Sequence, residues 1–237
     1  MTATDDQAGQ SEKIDFRRLA LFLLLTPLFL AVFLFVPAGT LLWLRGWLLV
    51  AVFVVSASAA SAYLRRVNPD IMAARINRHQ GTEGWDKVLL PFFLVAWLAV
   101  FPVAALDDER FGWLPIPWWV VAAGYALFLA GMGLLTWAEA VNKFFEPTVR
   151  IQADRGQHVI DTGPYAVVRH PGYVGGVLFF LGTALCLGSL WALIPAGLAS
   201  MGLILRTKWE DETLQAKLSG YREYAQRVRY RLIPGVW

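Results

Sequence analysis

The sequence predicts an all-α, polytopic membrane protein of about six spanning helices, and three observations carry that prediction. Of its 237 residues, 57% are apolar and only 16% are charged, against about a quarter charged in average soluble domains. The apolar residues are gathered into long uncharged runs rather than spread along the chain. Nineteen of the 21 Lys and Arg residues fall in alternate connections between those runs. This composition excludes a disordered chain and a collagen-like repeat. The one cysteine, Cys186, excludes an internal disulfide and a cysteine-rich zinc site. Neither a bound metal nor a nucleic-acid partner is expected.

Residues 1–18 are polar and charged and read as a disordered tail. They do not read as a cleaved signal, because the charged part is long and no A-x-A site follows the apolar run. Leu19–Val36, Gly46–Tyr63, Val88–Leu106 and Ile116–Ala138 are uncharged runs of 18 to 23 residues. About 20 apolar residues cross a hydrocarbon core of roughly 30 Å, so these runs predict four spanning helices. A polar loop at 64–87 separates the second from the third, and Asp107, Asp108 and Glu109 sit between the third and fourth. Gly172–Leu205 is a further uncharged stretch of 34 residues, too long for one straight span at about 1.5 Å per residue. Gly188-Ser189 and Pro195 break it, which predicts a short hairpin of Tyr173–Leu187 and Leu190–Leu205.

The sorting of positive charge orients these helices. Only Arg45 and Arg110 lie in the other set of connections. By the positive-inside rule both termini and the long polar loops face the cytoplasm. In the 64–87 loop, Asn68-Pro69-Asp70 reads as a helix start running through Arg78. Pro147, Gly156, Gly163, Pro164 and Pro171 forbid a continuous helix over 139–171. Arg206–Val228 is helix-compatible, with Gly220 as an interruption and Pro234 as a stop, predicting a cytoplasmic C-terminal helix. The expected organisation is a tail at 1–18, four membrane helices at 19–138, and a membrane-embedded core at 139–237.

Polar residues outside the runs cluster in two segments flanking the hairpin. The first holds Glu139, Asn142, Phe145, Gly163-Pro164-Tyr165, Arg169-His170-Pro171 and Tyr173; the second holds Arg206, Trp209, Glu210, Asp211 and Glu212. A hairpin that turns on the far side returns both segments to one membrane face. Taken alone, juxtamembrane Arg, His and Trp commonly serve as interfacial anchors. His79 reads as a solvated loop residue and His158 as a loop residue. Gly131-Met132-Gly133 lies inside an apolar run without a third glycine, so it reads as a helix-packing surface rather than a nucleotide loop.

The spacing Gly163-Pro164-Tyr165-x-x-x-Arg169-His170-Pro171-x-Tyr173-x-Gly175 resembles the signature of the isoprenylcysteine carboxyl methyltransferase family, whose superfamily includes the phospholipid N-methyltransferases. Asn142-x-x-Phe145 upstream, and Glu210-Asp211-x-x-Leu214, Tyr221-x-x-Tyr224 and Arg231-Leu232-Ile233-Pro234 downstream, extend the likeness over about residues 64–237. Asn68-Pro69-Asp70 and Trp85-Asp86 are similar to more variable features of its bacterial members. Two positions depart: the family more often has a second glutamate where Asp211 stands, and serine where Glu146 stands.

The resemblance implies methyl transfer from S-adenosylmethionine at the membrane. It places the donor on Asn142, Gly163, Tyr165, His170, Pro171, Tyr173 and Glu210. His170 and the backbone at Gly163–Tyr165 would hold the adenine and amino-acid ends, and Glu210 the ribose hydroxyls or the ammonium. The helix opened by Pro171 would offer its N–H groups to a carboxylate. The reaction depends chiefly on aligning donor and acceptor. A carboxylate acceptor needs only a cation to orient it, for which Arg206 is the first candidate and Arg169 the second. The alternatives for Arg206 are a snorkelling anchor and an i,i+4 pair with Glu210. An amine acceptor must lose a proton, and His170 is the nearest candidate base.

The expected partner is a prenylated or lipid-like substrate in contact with membrane lipids. Trp137, Phe144, Phe145 and Trp209 are candidates to line its entry, against their ordinary role as an interface belt. The primary expectation is carboxyl O-methylation of an isoprenylcysteine-type substrate, with N-methylation of an aminophospholipid as the alternative. An NADPH-dependent, sterol-reductase-like enzyme and a non-catalytic membrane protein are the readings from other classes.

Overall fold

The computed structural model describes residues 16–69, 71 and 81–237. Among the described residues seven α-helices dominate: α1 Phe16–Ala38, α2 Leu44–Val67, α3 Asp86–Ala104, α4 Trp118–Val141, α5 Pro171–Cys186, α6 Leu193–Lys217 and α7 Tyr221–Arg227. There is no strand among the described residues. Residues 1–15 of the expected tail, and the expected helix through Arg78 with His79, lie outside the described residues apart from Ile71. Phe16–Arg18 of that tail open α1. Asn68 is the C-cap of α2, and its Nδ2 donates to the Glu139 carbonyl at 2.7 Å.

Among the described residues, α2, α4 and α3 with its continuation to Phe111 are long and apolar enough to cross a membrane. At 16 residues, α5 spans only ~24 Å, short of a core of roughly 30 Å. The second hairpin arm differs from its expected length. α6 is one helix of 25 residues that carries both the apolar arm and the polar stretch from Arg206 to Lys217. Polarity changes at Arg206, but no Gly or Pro follows Gly202 before Lys217, so nothing stops the backbone ladder. The break comes at Gly220, whose φ of +79° suits a residue without Cβ.

Contacts at the two ends show that successive helices run up and down. At one end Arg45 pairs with Asp108 and donates to the Ile116 carbonyl at 2.8 Å, while Arg110 donates to the Pro37 carbonyl at 3.2 Å. Asp108 also accepts the Trp43 indole N–H at 2.7 Å. Asp107 is buried and accepts the Ser189 hydroxyl at 2.6 Å, tying in the hairpin turn. These acidic residues were expected in an open connection. They lie instead on a π-helical turn, Ala105–Phe111, that continues α3 just past Pro102. Such wide turns accommodate a locally interrupted hydrogen-bond ladder. The opposite end gathers the C-termini of α2 and α4, the N-termini of α3 and α5, and the polar half of α6.

Glycines bring α4 and α5 into backbone contact. A Cβ at Gly131 would stand 2.5 Å from the Phe179 nitrogen, and one at Gly182 would stand 2.5 Å from the Phe128 nitrogen. Gly124 faces Cys186, and Gly175 faces Gly131, just as closely. Small residues permit this approach of two apolar helices. Gly133 meets open space, so only Gly131 of the Gly131-Met132-Gly133 run packs. The seam fixes the start of α5 beside the end of α4, where the two polar segments meet.

Candidate functional site

α4 ends at Val141, and Asn142 turns the chain. Its Oδ1 accepts the Phe144 backbone N–H at 2.9 Å while its Nδ2 donates to the Tyr165 hydroxyl at 3.1 Å. Gly163 opens the 3₁₀ turn Gly163–Ala166 at a φ of +56°, with Val141 Cγ2 only 3.0 Å from where a Cβ would stand. Tyr165 is buried, and its carbonyl accepts the Tyr224 hydroxyl at 2.7 Å. Burial raises both phenols above their ordinary range. His170 caps α5, and Pro171 takes its first position, where a missing N–H costs no intrahelical bond. At Gly172 a Cβ would be 2.6 Å from the Phe145 ring, so that ring packs directly against the helix start.

Asp211, five residues past Arg206 on α6, joins the two segments. Fully buried, it accepts from Arg169 Nε at 2.7 Å and Nη2 at 3.0 Å, from Arg231 Nε at 2.9 Å, and from Gln215 Nε2 at 2.8 Å. The Tyr221 hydroxyl donates to it at 3.1 Å, and His170 Nε2 lies 3.3 Å away. Burial alone would raise this carboxyl, but the bonds from His170, Arg169 and Arg231 hold it well below the usual carboxylate range. Arg169 Nη1 also donates to the Val228 and Arg229 carbonyls, both at 2.8 Å. The backbone N–H groups of Arg169 and His170 donate to Tyr230 and Arg231 carbonyls at 2.9 and 3.0 Å. The C-terminal segment is thereby bound to the signature loop.

A second buried ion pair crosses from α6 to α3. Arg206 donates through Nε and Nη2 to the two Asp86 oxygens at 2.8 and 3.0 Å, and Nη2 also reaches the Pro147 carbonyl at 2.6 Å. Asp86 Oδ2 accepts the Val149 N–H at 2.8 Å as well. The Arg206 guanidinium lies 5.6 Å from the ring centroids of both Phe93 and Tyr173. No Arg206–Glu210 bond forms; Glu210 instead accepts the Tyr173 hydroxyl.

These groups surround a cavity of about 350 Å³, within the range of small-molecule sites. Asn142, Tyr165, Arg169, His170, Tyr173, Arg206 and Glu210 all line it. Gly163 and Pro171 set the backbone behind it and are not part of its wall. Phe144 and Phe145 line it, whereas Trp137 and Trp209 do not; His158 also reaches the wall, edge-on to Phe144. The cavity has two ends. Asn142, Tyr165, His170, Glu210 and Tyr221 make one polar, and the His170 and Tyr173 rings stack there at 5.7 Å. The other runs between α3, α5 and α6 past Phe93, Leu94, Trp97, Phe179, Phe180 and Leu203.

Residues 119–219 match a family model that begins in α4 and encloses the signature loop, the hairpin and all of α6. That model is the phospholipid methyltransferase family's. The isoprenylcysteine carboxyl methyltransferases that the sequence resembles are part of that family. The family points to a membrane methyltransferase and includes every candidate residue named from the sequence. A comparison with curated proteins gives no match. Three polar residues that shape the site were not among those candidates. Asp86 lies outside the matched segment; its signals in the sequence are an acid opening an apolar run and the Trp85-Asp86 likeness, neither of which gives it a role. Asp211 departs from the glutamate that the family more often has there, and Tyr221 is a motif position to which the resemblance assigns no role.

Proposed function

We propose that the protein transfers a methyl group from S-adenosylmethionine to an amphipathic acceptor held at the membrane. The single observation that carries this reading is the two-ended cavity, polar within the methyltransferase family segment and apolar where α3 closes it. The residues present suit the donor. Glu210 offers a carboxylate to its cationic groups, and the stacked His170–Tyr173 pair offers a flat face beside the adenine. Thr148 Oγ1 is buried in the wall without a hydrogen-bond partner among the described residues, an arrangement that a bound ligand would relieve. When bound, S-adenosylmethionine supplies an electrophilic methyl group on a sulfonium. The protein's part is to bind, align and exclude water.

The acceptor reading is carboxyl O-methylation of an isoprenylcysteine-type acid. Arg206 stands where the polar end meets the apolar arm, between the Phe93 and Tyr173 rings, so a carboxylate head placed there would meet a guanidinium. Such an acceptor is nucleophilic without a base. One observation favours a second reading, N-methylation of an aminophospholipid. Both candidate arginines are already neutralised, Arg169 by Asp211 and Arg206 by Asp86, which weakens their pull on an anion. His170 would then be the group placed to take the amine proton. The 19-to-2 sorting of Lys and Arg supports a site facing the cytoplasm.

The test uses purified protein in lipid nanodiscs with methyl-labelled donor, offered a farnesylcysteine analogue or phosphatidylethanolamine. Label on the farnesylcysteine product that mild base releases supports the carboxyl reading. Base-stable label on the aminophospholipid supports the amine reading. Transfer to neither, with NADPH bound in place of S-adenosylmethionine, overturns both.

A further inference from the structure

The apolar arm has a floor, and beyond the floor lies a second, much smaller void. The void is about 10 Å³ and is lined by Leu30, Leu49, Phe53, Phe101, Phe128 and Thr183 together with Trp97 and Phe179. Trp97 and Phe179 therefore border both spaces. The order of residues along the helices places the void beyond the arm. On α3 the arm has Phe93 and Trp97, and the void has Trp97 and Phe101. On α5 the arm has Tyr173, Gly176 and Phe180, and the void has Phe179 and Thr183. Both helices run inward from the polar end.

Trp97 closes this boundary with aromatic contacts. Its ring centroid lies 5.2 Å from that of Phe101, 5.8 Å from Phe179 and 6.0 Å from Phe180. Its indole N–H has no hydrogen-bond partner among the described residues, so the side chain acts here by volume rather than by a polar link. Space of about 10 Å³ holds no more than about one water and no alkyl chain.

We propose that Trp97 is a specificity-determining residue that sets the maximum length of the acceptor's hydrocarbon tail. This rests on the methyltransferase reading above. With the acceptor head beside Arg206, the tail runs down the arm and stops against the indole. The seven helical steps from Tyr173 to Phe180 and the eleven from Asp86 to Trp97 bracket a depth of ~10–16 Å, up to about half of a bilayer's hydrocarbon core. Removing the indole joins the arm to the void behind it and lengthens the path along the same two helices.

The experiment compares wild type, Trp97→Ala and Trp97→Phe in nanodiscs. Each receives a graded series of N-acetyl-S-alkylcysteines of increasing chain length, and S-adenosylhomocysteine binding serves as the control for a folded donor end. Wild type is expected to show a cutoff in both calorimetric binding and methyl transfer. Trp97→Ala moves the cutoff to longer chains, with about a tenfold gain just past the wild-type limit, the worth of roughly two more buried methylenes. Trp97→Phe moves it in the same direction by less, and decides the matter if Trp97→Ala no longer binds S-adenosylhomocysteine. An unchanged length profile in a variant that still binds S-adenosylhomocysteine overturns the proposal, because the tail then leaves the arm sideways. Wild type that binds the series with a cutoff but transfers no methyl group overturns the acceptor reading and leaves the length limit standing on binding alone.

Discussion

Arg206 and Asp86 form a bidentate, fully buried ion pair across 120 residues of sequence, joining the middle of α6 to the first turn of α3. The pair holds one side of the cavity in place. Removing one partner strands the other charge in an apolar setting, which typically costs about 3–5 kcal/mol. Arg206→Ala and Asp86→Ala are each expected to lose about that much stability. The double change Arg206→Met with Asp86→Leu should recover most of it, because no buried charge remains. Denaturant unfolding of the four proteins in detergent checks this. A double-variant loss equal to the sum of the two single losses would show that the pair is not coupled.

Asp211 makes the corresponding link between the signature loop, α6 and the C-terminal segment. Its folded-state pKa is depressed, so its stabilisation is present in full above the unfolded value of about 3.9. It is lost as pH falls from there through the folded pKa. Wild type is therefore expected to lose stability on acidification below about pH 4, and Asp211→Asn to lose that part of the pH dependence. Asp211→Asn should also weaken S-adenosylhomocysteine binding at neutral pH, since His170 loses its charged partner. Melting curves between pH 3 and 7 read the first effect and calorimetry the second.

The α4–α5 seam predicts a sharp contrast between two glycines, one inside the seam and one outside it. Gly182→Ala forces a Cβ to 2.5 Å from the Phe128 backbone nitrogen, whereas Gly133→Ala enters open space. Overpacking of this kind costs roughly 1–3 kcal/mol. Gly182→Ala is expected to lower the melting temperature, while Gly133→Ala leaves it unchanged or raises it slightly through better helix propensity. Equal melting temperatures for the two would contradict backbone contact at this seam.

Much of this arrangement was legible in the sequence because it follows from periodic or compositional signals. Uncharged runs located the helices, and alternating basic connections gave their up-and-down order. The spacing from Gly163 to Tyr173 pointed to the loop that lines the polar end. What could not be read was pairing across distance. In sequence Asp86 is a helix-flanking acid and the near partner for Arg206 is Glu210, four residues away on its own helix; the pair that forms, Arg206–Asp86, spans 120 residues. The acidic run at Asp107–Glu109 reads only as a connection between two apolar runs, because its partners, Arg45 and Ser189, lie about sixty to eighty residues away. The second hairpin arm runs past its expected end because hydropathy changes at Arg206 while the backbone does not.

At the donor end, Tyr173 donates its hydroxyl to Glu210, and both line the cavity. Glu210→Gln keeps the shape and removes the charge, so it tests electrostatic recognition of a cationic donor. It is expected to weaken S-adenosylmethionine binding by at least about tenfold, the worth of one charge-assisted hydrogen bond. S-adenosylhomocysteine, which lacks the sulfonium charge, should lose less. Equal losses for the two ligands would place Glu210 away from the sulfur and nearer the ribose or ammonium.

The polar end of this cavity is proposed to receive S-adenosylmethionine. Isothermal titration of the nanodisc-embedded protein with S-adenosylmethionine and, separately, NADPH tests it most directly, with His170→Ala and Glu210→Ala alongside wild type. Saturable S-adenosylmethionine binding that both substitutions weaken, with no NADPH binding, is the predicted result. NADPH binding without S-adenosylmethionine binding, or S-adenosylmethionine binding that neither substitution changes, would contradict it.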